Sequence, residues 1–186
     1  MDIVRVFIAV NFPGSVKKQI SDISSKIRAE IVKGNLTKSE NFHLTLAFIG
    51  EIPESRLKAV EKAMDKISFR PFELTMKGIG RFKRNGGDII WIGIEPSEGL
   101  KTLEGIQQDL VRELKDAGFV IDDRGFRPHM TLGREVVTES WDKVKNAAGD
   151  VGISVRSEKI SLMRSERING KLTYTEIYAK ESEGAV

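Results

Sequence analysis

Both histidines of the chain stand in the same local pattern, and that repetition limits the fold more than any other feature of the sequence. His43-Leu44-Thr45-Leu46 and His129-Met130-Thr131-Leu132 alternate polar and apolar residues, the period of a strand with one buried face. Eight of the 186 residues are Thr. Both histidines would therefore have Thr two positions on by chance only about 1 time in 500, although short motifs always carry false matches.

The surroundings repeat as well. Ile20, Ile23, Ile27 and Ile31 recur at helical spacing from Val16, and Gly34 is the expected stop. The strand Phe42–Gly50 follows, then a helix through Leu57, Val60, Met64 and Ile67. Strands over 72–82 and 88–95 flank Asn85-Gly86, a favoured hairpin dipeptide. In the second half, Leu100, Leu103, Ile106, Leu110 and Leu114 mark a helix ending at Gly118, ahead of a strand over 127–136. Trp141 and Val144 mark a shorter helix before Gly149. Strands Ile153–Arg164 and Lys171–Lys180 then flank a second Asn-Gly at Asn169-Gly170. Each half reads helix, histidine strand, helix, hairpin, which is a sign of duplication. The expected fold is α+β and bilobal: two antiparallel sheets with outer helices, related by a pseudo-two-fold axis, with the active-site cleft between them. Residues 1–186 form one domain in this reading, with repeats near 15–95 and 97–180. The strand 3–12 lies outside the repeat and ties one sheet to the other half.

Composition excludes several classes. A hydrophobic fraction of 40% and a charged fraction of 31% do not fit a disordered, collagen-like or membrane-bundle chain. Without cysteine there is no disulfide, thiolate metal site or cysteine nucleophile. The net charge of +3 permits an anionic ligand without announcing a nucleic-acid binder. No apolar run approaches a membrane span, and the opening segment reads as a strand, not a signal peptide. A cytoplasmic monomer with no membrane partner is expected.

On a strand, i and i+2 side chains share a face about 6.5–7 Å apart. Each motif thus sets an imidazole beside a hydroxyl, and a two-fold axis would bring two such units to one cavity. One neutral and one protonated histidine can divide base and acid work, while the hydroxyls hold phosphoryl oxygens. The histidines lie 86 positions apart (129 − 43), with no carboxylate inside either unit. No metal site and no cofactor are expected.

NFHLTLAFIGE and FRPHMTLGR resemble the paired motifs of the 2H phosphoesterase superfamily, and more closely the 2′-5′ RNA ligase or RNA 2′,3′-cyclic phosphodiesterase family. The VFIAVNFP opening, the IWIGIE strand and the closing YTEIYAK strand extend the resemblance over nearly the whole chain. It implies a bilobal α+β fold and hydrolysis of an RNA 2′,3′-cyclic phosphate to a 2′-phosphomonoester. The partner it implies is RNA with a cyclic phosphate or 2′-phosphate end, tRNA halves included, since some members join these through 2′-5′ linkages. By the same resemblance His43 donates a proton to the leaving 3′ oxygen, His129 activates water, and Thr45 and Thr131 hold the phosphate. The two motifs alone do not distinguish acid from base.

Arg127, two before His129, is expected on the same strand face as a bidentate phosphate ligand, against the plainer reading of a solvated strand edge. Arg134 falls on the opposite face unless Gly133 breaks the alternation. Arg81 and Phe82, with Lys83 and Arg84, are candidates for RNA contact, Phe82 by stacking. Arg164, Arg167 and Lys171 hold the matching loop, and charge on a hairpin is more often a solvated face. Trp91 and Trp141 are expected in the core; nothing selects Tyr174. Three other readings remain: a small-nucleotide cyclic phosphodiesterase, a non-catalytic RNA-end binding module, and an unrelated domain with two core histidines.

Overall fold

The computed structural model describes residues 2–122 and 124–184. Its elements, in order, are β1 (Ile3–Asn11), α1 (Gly14–Arg28), β2 (Lys33–Leu36), β3 (His43–Pro53), α2 (Leu57–Asp65), β4 (Phe72–Phe82) and β5 (Asp88–Ile94). There follow α3 (Glu98–Asp116), β6 (His129–Val137), α4 (Trp141–Ala148), β7 (Gly152–Ser157), β8 (Lys159–Ile168) and β9 (Lys171–Glu181). Helix and strand content matches the expected α+β class. No helix among the described residues is long and apolar enough to cross a membrane.

The helices carry the apolar stripes read from their spacing. Val16, Ile20, Ile23 and Ile27 are the buried face of α1, and Leu103, Ile106, Leu110 and Leu114 belong to that of α3. Ser97 Oγ caps α3 by accepting the Leu100 N–H at 3.1 Å, which satisfies one of the amides a helix start leaves unpaired. These stripes pack with Val6, Ile8, Leu44, Leu46, Met130 and Leu132 in one main core. The opposite sheet face holds a small cluster of Phe7, Ala9 and Met163 with Tyr174 against it. His43, Thr45, His129 and Thr131, each partly exposed, alternate with the core residues and so take this second face.

The strands run antiparallel in the order β7-β4-β5-β6-β3-β1-β8-β9, with β2 pairing β6 off that path. Two separate sheets were the expectation; the structure has one continuous sheet. The halves meet at β3 and β6, where the registered pair is Leu44↔Met130. Outward from this seam, the hairpin β4-β5 of the first half extends β6, and the hairpin β8-β9 of the second half extends β3 through β1. The opening strand therefore ties one side to the other half, as its position outside the repeat implied.

Three local expectations are corrected. Helix α1 ends at Arg28, not at Gly34. Gly34 lies in β2, where an added Cβ would stand 2.8 Å from Val136 Cα. The strand expected over 153–164 is two strands broken at Glu158, with β7 on β4 and β8 on β1 at opposite sides of the sheet. Strand β6 starts at His129, so Arg127 lies in its lead-in and not on the strand. The Asn169-Gly170 signal holds: φ is +50° and +76°, the left-handed pair that a two-residue hairpin loop requires.

Candidate active site

The antiparallel pair Leu44↔Met130 points both side chains into the core. The strands run antiparallel through it, so His43 and Thr131 lie on one side of the pair and Thr45 and His129 on the other, and the two motifs run head to tail as neighbours. Two imidazoles and two hydroxyls thus occupy the corners of one patch on the face away from the helices.

Each imidazole is oriented the same way. His43 Nδ1 donates to the Asn41 carbonyl at 2.8 Å, and His129 Nδ1 donates to the Arg127 carbonyl at 2.6 Å. A carbonyl only accepts, so Nδ1 carries the hydrogen in both rings and Nε2 is left for chemistry. His43 Nε2 is 2.9 Å from Thr45 Oγ1. It accepts the hydroxyl hydrogen when neutral and donates to the oxygen when protonated.

Aromatic rings flank both histidines. Phe7 lies 4.8 Å and Tyr174 5.2 Å from the His43 ring, while Phe82 lies 5.2 Å and Trp91 6.2 Å from the His129 ring. This corrects the expectation for Trp91, which faces the site and not the core. The indole lies over Gly80, where an added Cβ would stand 2.2 Å from its Cη2, and beside Gly93. Trp141 does pack against the main core, with the Arg81 guanidinium 4.9 Å above its ring.

Burial holds both histidines below their ordinary value of 6.5. The hydrogen bonds to Asn41 and Arg127 work in the opposite direction. The charge of Arg134 depresses both rings further, and that of Lys17 and of His129 acts on His43. Arg134 therefore faces both imidazoles electrostatically. The register of β5 on β6 explains how: Trp91 pairs with Thr131 and Ile90 with Gly133, so an extra residue at Leu132 breaks the strand alternation ahead of Arg134.

A cleft of about 510 Å³ opens at one side of the patch, lined by Thr45, Phe48, Phe82, Arg84, Arg127 and His129 among others; His43 and Thr131 are not in its lining. Arg127 and Phe82 are both in its lining. Arg81 is not among its lining residues; it pairs with Asp88 at 3.1 Å and stacks on Trp141. Arg164 pairs with Glu166 at 3.3 Å, and Arg167 donates to the Gly170 carbonyl at 3.0 Å. Sequence reasoning missed Asn41, Phe7 and Arg124, the last in the cleft lining and ion-paired to Asp122 at 2.9 Å. Among the described residues, no group of three or more His, Cys, Asp or Glu is placed to hold a metal ion.

Residues 12–169 match the family model of the 2′-5′ RNA ligase superfamily. The chain belongs to that superfamily. Among its relatives is the RNA 2′,3′-cyclic phosphodiesterase of Thermotoga maritima, 29% identical over 98% of this chain and 98% of the relative. The enzyme of the same name from Methanothermobacter thermautotrophicus is 30% identical over 94% and 96%. Among solved structures, E. coli LigT complexed with 3′-AMP superposes with a TM-score of 0.83 at 25% identity, covering 98% of this chain and 99% of LigT. Within this superfamily fold, the seam between β3 and β6 sets the two histidine motifs side by side.

Proposed function

We propose that this chain hydrolyses 2′,3′-cyclic phosphate ends of RNA to 2′-phosphomonoesters, with His43 and His129 as acid and base and no metal. One observation carries the reading: two antiparallel His-x-Thr units share a seam, and in each ring Nδ1 is bound to a backbone carbonyl, which leaves Nε2 as the nitrogen for proton transfer. The relatives named RNA 2′,3′-cyclic phosphodiesterase support the substrate class.

In the proposed reaction, water attacks phosphorus opposite the 3′ oxygen and gives its proton to His129 Nε2. The P–O3′ bond breaks, and protonated His43 donates its Nε2 proton to that oxygen. The hydroxyls of Thr45 and Thr131 donate to the non-bridging oxygens, and Arg127 and Arg134 offset the phosphoryl charge. Proton exchange with solvent restores the starting forms. His129 lines the open cleft and His43 does not, which supports this polarity. A 5′-hydroxyl in place of water would give a 2′-5′ linkage by the same bond exchange. We place both halves of residues 1–186 in one catalytic unit, since the site needs a strand from each.

The test is cleavage of a cyclic-phosphate oligonucleotide in excess EDTA, with product identified as the 2′-phosphate. Loss of activity with chelator, or full activity in His43→Ala, refutes the mechanism. A second reading, a small-nucleotide cyclic phosphodiesterase, draws on the complex of LigT with 3′-AMP. Higher kcat/KM on a cyclic mononucleotide than on RNA would favour it.

A further inference from the structure

Asn41 is a buried polar residue, 6% exposed, at the end of a short 3-10 turn over Ser39–Asn41. Its side chain and main chain face different partners. The Nδ2 amide donates to the Leu172 carbonyl of β9 at 3.0 Å, and the Asn41 carbonyl accepts from His43 Nδ1 at 2.8 Å. Two residues beyond Leu172 on the same strand, Tyr174 sets its ring edge-on to His43 and 4.9 Å from Phe7. The β8-β9 hairpin thus reaches His43 twice, through a ring and through Asn41. His129 differs: the carbonyl that holds its Nδ1 belongs to Arg127, an exposed residue of a lead-in segment.

We infer that Asn41 is a positioning residue for His43: its buried amide, held by the β8-β9 hairpin, fixes the carbonyl that fixes the tautomer of the imidazole. An imidazole without that acceptor is free to place its hydrogen on either nitrogen and to turn about χ2. The hydrogen on Nδ1 is what leaves Nε2, beside Thr45 Oγ1, as the nitrogen that gains and loses a proton. Loss of hydrogen-bond partners that orient metal-bound imidazoles costs about 10–100-fold, a fair scale for an orienting carbonyl here. The catalytic consequence rests on the proposed function; the tautomer does not.

The chain holds two histidines, so long-range proton–nitrogen spectra of the imidazoles read each ring separately. In the unaltered protein at pH above both titrations, His43 is expected as the Nδ1–H tautomer. In Asn41→Ala its signals move toward a mixture of tautomers while those of His129 stay in place. Asn41→Asp keeps the volume but cannot donate to the Leu172 carbonyl at neutral pH, and moves His43 in the same direction. In both, kcat on the cyclic phosphate falls roughly tenfold with KM nearly unchanged, less than loss of the imidazole itself. A His43 ring in the Nε2–H form in the unaltered protein overturns the inference. So does an unchanged Nδ1–H spectrum in a folded variant, the result of a purely structural role. Should Asn41→Ala not fold, the Asp variant and the unaltered protein decide. An unaltered protein inactive on cyclic phosphates would remove the proposed reaction and leave the tautomer result standing.

Discussion

Leu44 is paired with Met130 across the seam between the two halves, and both side chains are fully buried. The antiparallel run through that pair brings His43 and Thr131 to one side of it and Thr45 and His129 to the other. Core packing and site assembly are therefore the same event on opposite faces of two strands. Met130→Ala removes a core side chain and should destabilise the fold by about 2–5 kcal/mol. Because the seam rests on this pair, kcat should also fall under conditions where the variant remains folded. Urea unfolding combined with kcat at low denaturant checks both; a stability loss with unaltered kcat would show that the seam holds without Met130.

Removal of either imidazole tests the division of labour. His43→Ala and His129→Ala should each lower kcat about 10²-fold or more. The double variant should be little worse than either single one, since the two groups act in one transition state. Fully additive losses would mean that they serve separate steps.

Proton affinity gives a third test. Both histidines titrate below 6.5 in the free protein, chiefly through burial, so both limbs of the bell in kcat/KM should lie below that pH. A bound phosphoryl anion favours the charged rings, and the bell in kcat should sit at higher pH. Stability follows the same sign. As pH falls through the unfolded value of 6.5, the unfolded chain takes up protons before the folded one, and stability declines until the folded values are passed. Replacement of both histidines by Ala should flatten this decline, as read by urea midpoints at pH 7.5 and 5.5.

Arg134 lowers both rings by its charge, so Arg134→Gln should move both limbs of the kcat/KM profile to higher pH. KM should rise as well if the guanidinium offsets the phosphoryl charge. A shift in one limb alone would place Arg134 beside a single histidine.

Much of this was legible in the residues, for reasons that differ by position. His43, Thr45, His129 and Thr131 announce themselves because strand period fixes a shared face for i and i+2. The four helices follow from apolar spacing, and Asn169-Gly170 from its need for left-handed backbone. The short strand β2 leaves no signal in sequence because Lys33–Leu36 is mostly exposed and offers no alternation. The break at Glu158 was missed because both flanking segments carry strand pattern; only their partners differ. Arg134 depends on the extra residue between Thr131 and Gly133, which the glycine permits but does not by itself require. Asn41, Phe7 and Tyr174 meet His43 through contacts between distant segments, which local pattern does not carry. Trp91 takes the face that sequence does not single out, because a strand with apolar residues on both sides does not say which side the helices cover.

Gly80 is paired with Trp91 across β4 and β5, and its lack of a side chain lets the indole lie flat on the sheet beside His129. A methyl group there would overlap the ring at 2.2 Å from Cη2. Gly80 does not have positive φ, so Ala is not excluded by backbone conformation, and the conflict is with the indole alone. The ring can swing away, or the strands can part at a cost of about 1–3 kcal/mol. Either response takes the indole from its place against Phe82 and His129. Gly80→Ala should therefore lower kcat and shift the His129 imidazole signals. In a Trp91→Leu background the same substitution should have little further effect, because the clash has been removed. The double-mutant cycle isolates the pair. Equal losses in the two backgrounds would show that Gly80 serves the strand and not the indole.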